Sequence, residues 1–148
     1  MSTCRAAKTI WDLCDGKVSN LSLQKLLYLA HMLELGAGHD PLVDSYFEAW
    51  DYGPVEPSLY HKLKAYGSNF VPDIFAASPY SADDKQYASI AEVVRQLGDA
   101  KPRKLVAITH WDGGAWNKHY VSGRRGIIIP DQDILEEYRA RADRSKAA

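Results

Sequence analysis

Apolar residues along the chain recur mostly with a helical period. Cys4, Ala7, Trp11 and Cys14 fall on one face at steps of three and four, which predicts an amphipathic helix over about Thr3 to Asp15, stopped by Gly16. The run LSLQKLLYLAHMLEL, Leu21 to Leu35, is built of good helix formers. Its broad face of Leu23, Leu26, Leu27, Ala30 and Leu33 predicts the central buried helix. Gly36 and Gly38 end it, and either Asn20 or Ser22 caps its start. From Asp44 to Tyr52 the period drops to two. Tyr46, Glu48, Trp50 and Tyr52 alternate with Phe47 and Ala49, as in a short strand, which Gly53-Pro54 stops. Pro57 and Gly67 bracket a short helix carrying Leu59, Leu63 and Tyr66.

Residues 68–80 lack a period and contain Pro72 and Pro79. They read as a loop tucked in by Phe70, Val71, Ile74 and Phe75. Ser81 to Leu97 reads as a helix capped by Ser81, with Asp83 and Asp84 at its positive end. Its inner stripe is Tyr87, Ile90, Ala91, Val94 and Leu97, and Gly98 ends it. Pro102 to about His110 reads as another helix, followed by a loop at Gly113-Gly114. Gly126 to Ile129 suits a second short strand. Pro130 and Asp131 open a last helix with Ile134, Leu135 and Tyr138 inward, and Arg141 to Ala148 reads as a frayed tail. The expected class is mainly α, formally α+β: a compact single domain, 1–148, of about six helices with a small two- or three-stranded β element.

Composition changes this picture little. The 148 residues suffice for one domain with a core that needs no metal or disulfide. A 46% hydrophobic share excludes a largely disordered chain. A net charge of −1 disfavours a strongly basic nucleic-acid binder. Cys4 and Cys14 lie about 15 Å apart along a straight helix, beyond the roughly 7 Å a disulfide spans. Two unbridged thiols suit a reducing cytosol. Arg5, Lys8, Asp12 and Asp15 interrupt the place where a signal peptide's apolar core would sit, and no apolar run approaches the ~20 residues of a bilayer span. The expectation is a cytoplasmic protein with no membrane contact.

Catalytic constellations are missing from the pattern. The histidines His31, His39, His61, His110 and His119 include no pair at metal-ligand spacing, so no metal and no other cofactor is expected. Cys4 and Cys14 sit on an apolar face, which raises a thiol pKa and disfavours a nucleophile. No G-x-S-x-G elbow or phosphate-cradling glycine loop is present. Asp83-Asp84 and Glu136-Glu137 are adjacent and point to different sides of a helix. Two small basic spots, one of Lys101, Arg103 and Lys104 and one of Arg124-Arg125, would contact a few phosphates at most. Aromatic residues cluster near turns instead: Tyr46, Trp50, Tyr52, Tyr60, Trp111, Trp116 and Tyr120. Trp and Tyr are enriched at interface hot spots, so a binding module is favoured over an enzyme.

Three stretches then occur in order: LQKLLYLAH (Leu23 to His31), EAWDYGPVEPSLYHKLKAYG (Glu48 to Gly67) and THWDGGAW (Thr109 to Trp116). Together with Ile134 to Tyr138 they resemble the Panacea domain, the SocA-like antitoxin domain, over nearly the whole chain. Ala115 departs from the proline often found there. The resemblance implies an antitoxin of a bacterial or phage toxin–antitoxin system that neutralises its cognate toxin by direct protein contact. The SocA branch adds a proteolytic adaptor role, delivering the toxin to the ClpXP protease. On this footing Gln24, Tyr28, His31, Trp50, Tyr52, Tyr60, His110 and Trp116 either line a toxin-binding groove or form an internal hydrogen-bond network. Gly53 and Pro54 would set a sharp strand-to-helix turn that holds the aromatics rigid. Ala147 and Ala148 resemble the end of a protease-recognition tag. A DNA-binding autoregulator of its own operon is the alternative, and formation of a homo-oligomer is left open.

Overall fold

A computed structural model of the chain describes residues 2–147. Helix α2 (Asn20–Gly36) is its axis. Leu23, Leu26, Leu27, Tyr28, Leu29, Ala30 and Met32 are buried, and so are the polar Gln24, Lys25, His31 and Glu34. A helix buried all round needs neighbours on every side. Here they are α1 (Ser2–Leu13), α4 (Tyr87–Leu97), α5 (Pro102–Thr109), α7 (Asp131–Ala147) and the hairpin strand β2 (Gly53–Val55). Neither Asn20 nor Ser22 caps α2. Ser19 does, its side chain accepting from Ser22 N at 3.3 Å. At the other end a Cβ on Gly36 would fall 2.5 Å from the Tyr138 ring, so the missing side chain is what lets α7 close on α2.

The sheet has the order β2-β1-β3, all antiparallel, with β1 at Phe47–Trp50 and β3 at Ile128–Ile129. The strand is shorter than the expected Asp44 to Tyr52 and its alternation holds only in part: Phe47 and Ala49 are fully buried, but Glu48 is buried as well. Gly53 and Pro54 do not turn the chain into a helix. Trp50 pairs with Gly53 and Ala49 with Pro54, so they begin a strand after the two-residue turn Asp51-Tyr52. Gly53 has φ 113, and a Cβ there would meet Thr109 Oγ1 at 2.8 Å and Lys25 Cε at 2.9 Å. The turn into α3 (Pro57–Leu63) comes later, at Glu56, whose carboxylate caps the helix through Leu59 N at 2.7 Å. A 3-10 turn, Lys64–Tyr66, completes that segment.

Other boundaries also move. α1 buries Thr3, Ala6, Ala7, Thr9 and Ile10, leaving Cys4, Trp11 and Cys14 half-buried, so the inward face is rotated from the expected one. In the 68–80 loop Val71 and Phe75 are buried, while Phe70 and Ile74 are exposed. α4 starts at Tyr87, not Ser81. Ser81 N donates to Asp84 Oδ2 at 2.8 Å, which closes a separate turn ahead of the helix. A short helix absent from the sequence reading, α6 (Ala115–His119), makes seven helices among the described residues. α7 continues to Ala147, past the point where fraying was expected. Arg141 bonds Glu137 Oε2 and Ile108 O, each at 2.7 Å, and the Arg141 and Arg144 guanidinium groups lie over the Trp111 ring. Ala148 lies outside the described residues. Among the described residues no helix is long and apolar enough to cross a membrane.

Candidate functional site

The hairpin turn, α3 and the loop before β3 enclose a groove of about 460 Å³. Trp50, at the end of β1, is its centre. Trp50 Nε1 donates to Glu48 Oε1 at 2.9 Å, and the same oxygen accepts from Gly126 N at 3.2 Å. The Tyr60 ring meets Trp50 edge-on with centroids 4.8 Å apart, and the Arg125 guanidinium lies 4.6 Å over the indole. Backbone hydrogen bonds, an indole hydrogen bond and two ring contacts therefore fix the orientation of this side chain before any partner arrives. Tyr52, at the hairpin tip, is 68% exposed.

Of the eight residues singled out from the sequence, Gln24, Trp50, Tyr52 and Tyr60 line this groove. Gln24 also fastens the fold. Its Oε1 accepts from Glu56 N at 2.7 Å and its Nε2 donates to Glu56 O at 3.2 Å, so the side-chain amide imitates a neighbouring strand. Of the other four, Tyr28, His31 and Trp116 are interior and His110 is half-buried. Tyr28 meets Phe47 edge-on at 5.1 Å, and burial holds its hydroxyl pKa well above the usual value. His31 is wholly buried. Its Nδ1 accepts from Leu42 N at 3.2 Å, which leaves Nε2 to donate to Asp131 Oδ1 at 2.8 Å. His110 stacks on Trp116 at 3.7 Å, and Trp116 stacks on Tyr120 at 4.5 Å. Trp116 Nε1 donates to Trp50 O at 2.8 Å, so this column braces the groove from behind. Burial, and secondarily the charge of Lys25, lowers the His110 pKa.

Several buried ionisable groups escaped the sequence reading. Lys25 is completely buried, its Nζ donating to Pro54 O at 2.8 Å, and burial lowers its pKa to about 7. Glu56 accepts from Ser45 Oγ and Ser58 Oγ, each at 2.6 Å, besides capping α3. Glu137 accepts from Ala115 N at 2.8 Å and from Arg141, tying α6 to α7. The usable signal was a charged residue standing on an otherwise apolar helical face, as Lys25 stands among the leucines of α2.

Among the described residues, no group of three or more His, Cys, Asp or Glu is arranged to hold a metal ion. Burial pushes the Cys14 thiol up to about 11, as expected for a cysteine on an apolar face. Lys101, Arg103 and Lys104 lie at the start of α5, while Arg124 and Arg125 stand on the groove. What the groove offers is contact chemistry: a held indole, two phenols and cationic side chains.

Comparison with known proteins matches residues 23–117 to the family described as "Antitoxin SocA-like, Panacea domain". The chain is also 37% identical over 140 residues to "Antitoxin SocA" of Caulobacter vibrioides (strain NA1000 / CB15N), covering 84% of this chain and 74% of that one. No solved structure matches.

Proposed function

The chain belongs to the SocA-like antitoxin family, Panacea domain, and from that premise we propose that it neutralises a cognate toxin by binding it directly through the Trp50 groove. The observation that carries this reading is the preformed setting of Trp50, held by Glu48, Tyr60 and Arg125 beside the exposed Tyr52. Rigid aromatics lose little conformational entropy on binding, and Trp, Tyr and Arg are the residue types that dominate interface energetics. Neutralisation needs no catalytic step under this reading.

The test is growth of a host expressing the open reading frame next to this one, with and without this chain. Toxicity relieved by co-expression supports the proposal, and a harmless or unrelieved neighbour counts against it. Rescue that persists in a host lacking ClpX favours simple sequestration. Rescue that disappears there favours an adaptor that delivers the toxin to ClpXP, with the terminal Ala147-Ala148 as the first segment to mask.

A further inference from the structure

The charge of the groove carries an inference about what enters it. Lys64, Arg124 and Arg125 all line it and are all exposed. Among the described residues none of the three makes an ion pair. Asp51 is the one carboxylate in the lining, and its Oδ1 already accepts from the Tyr120 hydroxyl. Three cations against one carboxylate leave the concave site with a net positive field that attracts anions. The remaining walls are apolar or aromatic, with Leu21, Val55 and Tyr60 beside Trp50.

We propose that the groove receives an acidic, extended segment of the partner protein. One or two carboxylates meet Lys64, Arg124 and Arg125. An apolar side chain packs between Leu21, Val55 and Tyr60. This rests on the reading of the chain as a toxin binder and names the chemistry of the recognised segment. A peptide fits better than a nucleic acid. Arg125 already lies over one face of the Trp50 ring and Tyr60 packs against it, which leaves less of the indole free to stack a base.

The experiment uses the full chain with a blocked Glu-Leu-Glu-Leu-Glu peptide, its Lys-for-Glu counterpart and an oligothymidylate. NMR follows the Trp50 Nε1–H resonance, and rescue of growth against the neighbouring gene product is scored in parallel. The acidic peptide is expected to shift that resonance, while the basic peptide leaves it in place. R124E/R125E is expected to weaken the acidic peptide by more than about tenfold and to lose rescue while melting like the parent. K101E/R103E, charge reversals at the start of α5, is expected to behave as the parent in both assays. Two results overturn the inference: a Trp50 shift with oligothymidylate but not with the acidic peptide, and full rescue by a folded R124E/R125E. Failure of the parent chain to rescue at all would sink the toxin-binding reading separately, leaving the peptide result to judge the groove chemistry.

Discussion

Lys25 concentrates the cost of this design in one atom. An ammonium in the α2 core is held by a single backbone carbonyl, and its pKa falls from 10.5 to about 7. Between those values the unfolded chain keeps a proton that the native chain lacks, so native stability rises with pH. The gain is on the order of 2 kcal/mol between pH 7 and 9. Above pH 9 the rise is opposed, because half-buried Cys14 and buried Tyr28 keep protons that the unfolded chain releases. On the acid side the lowered pKa of His110 makes stability fall as pH drops through 6.5. Urea midpoints for the parent and for K25M check this. The parent is expected to gain stability from pH 7 to 9 and K25M to stay flat. A second residue-scale expectation concerns Gly36. G36A drives a methyl into the Tyr138 ring and is expected to cost about 1–3 kcal/mol. In a Tyr138→Ala background the same change is expected to be neutral or stabilising, since alanine is the better helix former. Residue types carry only part of this. A lysine among leucines marks the position, but whether it snorkels or is entombed is decided by β2 covering it.

At the scale of elements, what could be read was what repeats. Period two over Phe47 and Ala49, and the leucines of α2, give their faces away because several residues repeat the message. α6 spans five residues, too few for a period, and it takes its place from Glu137 receiving Ala115 N. β2 was hidden for another reason. Pro54 reads as a strand breaker, yet β2 is an edge strand, where a missing N–H is tolerated. The edge is also covered, since Gln24 occupies both backbone groups of Glu56 just past the end of β2. Half of the predicted site fell inside the body because a motif records fold and contact together. Gln24, Tyr28 and His31 share a helical face, but β1 and β2 leave only its Gln24 end near the groove. Gln24→Leu is expected to strand the Glu56 amide and carbonyl, losing about 2–4 kcal/mol by urea denaturation and loosening the hairpin. Amide exchange at Glu56 and Val55 measures the second effect: faster at both in the variant, or the strand-imitating role is wrong.

At the scale of the whole molecule a late helix closes on an early one. α7 packs against α2, the His31–Asp131 bond joins positions one hundred residues apart, and Tyr138 seals the place left open by Gly36. A chain ending at Pro130 leaves one side of α2 bare and is expected to lose cooperative melting in calorimetry. A sharp transition in that truncation would mean that α7 is an accessory. The placement of α7 also bears on timing. α2 is made well before α7, so the core around this first long helix stays incomplete until α7 has also been made. A nascent or prematurely terminated copy would present leucine-rich α2 in place of a finished groove. Copies that stop short of α7 would therefore be open to proteases.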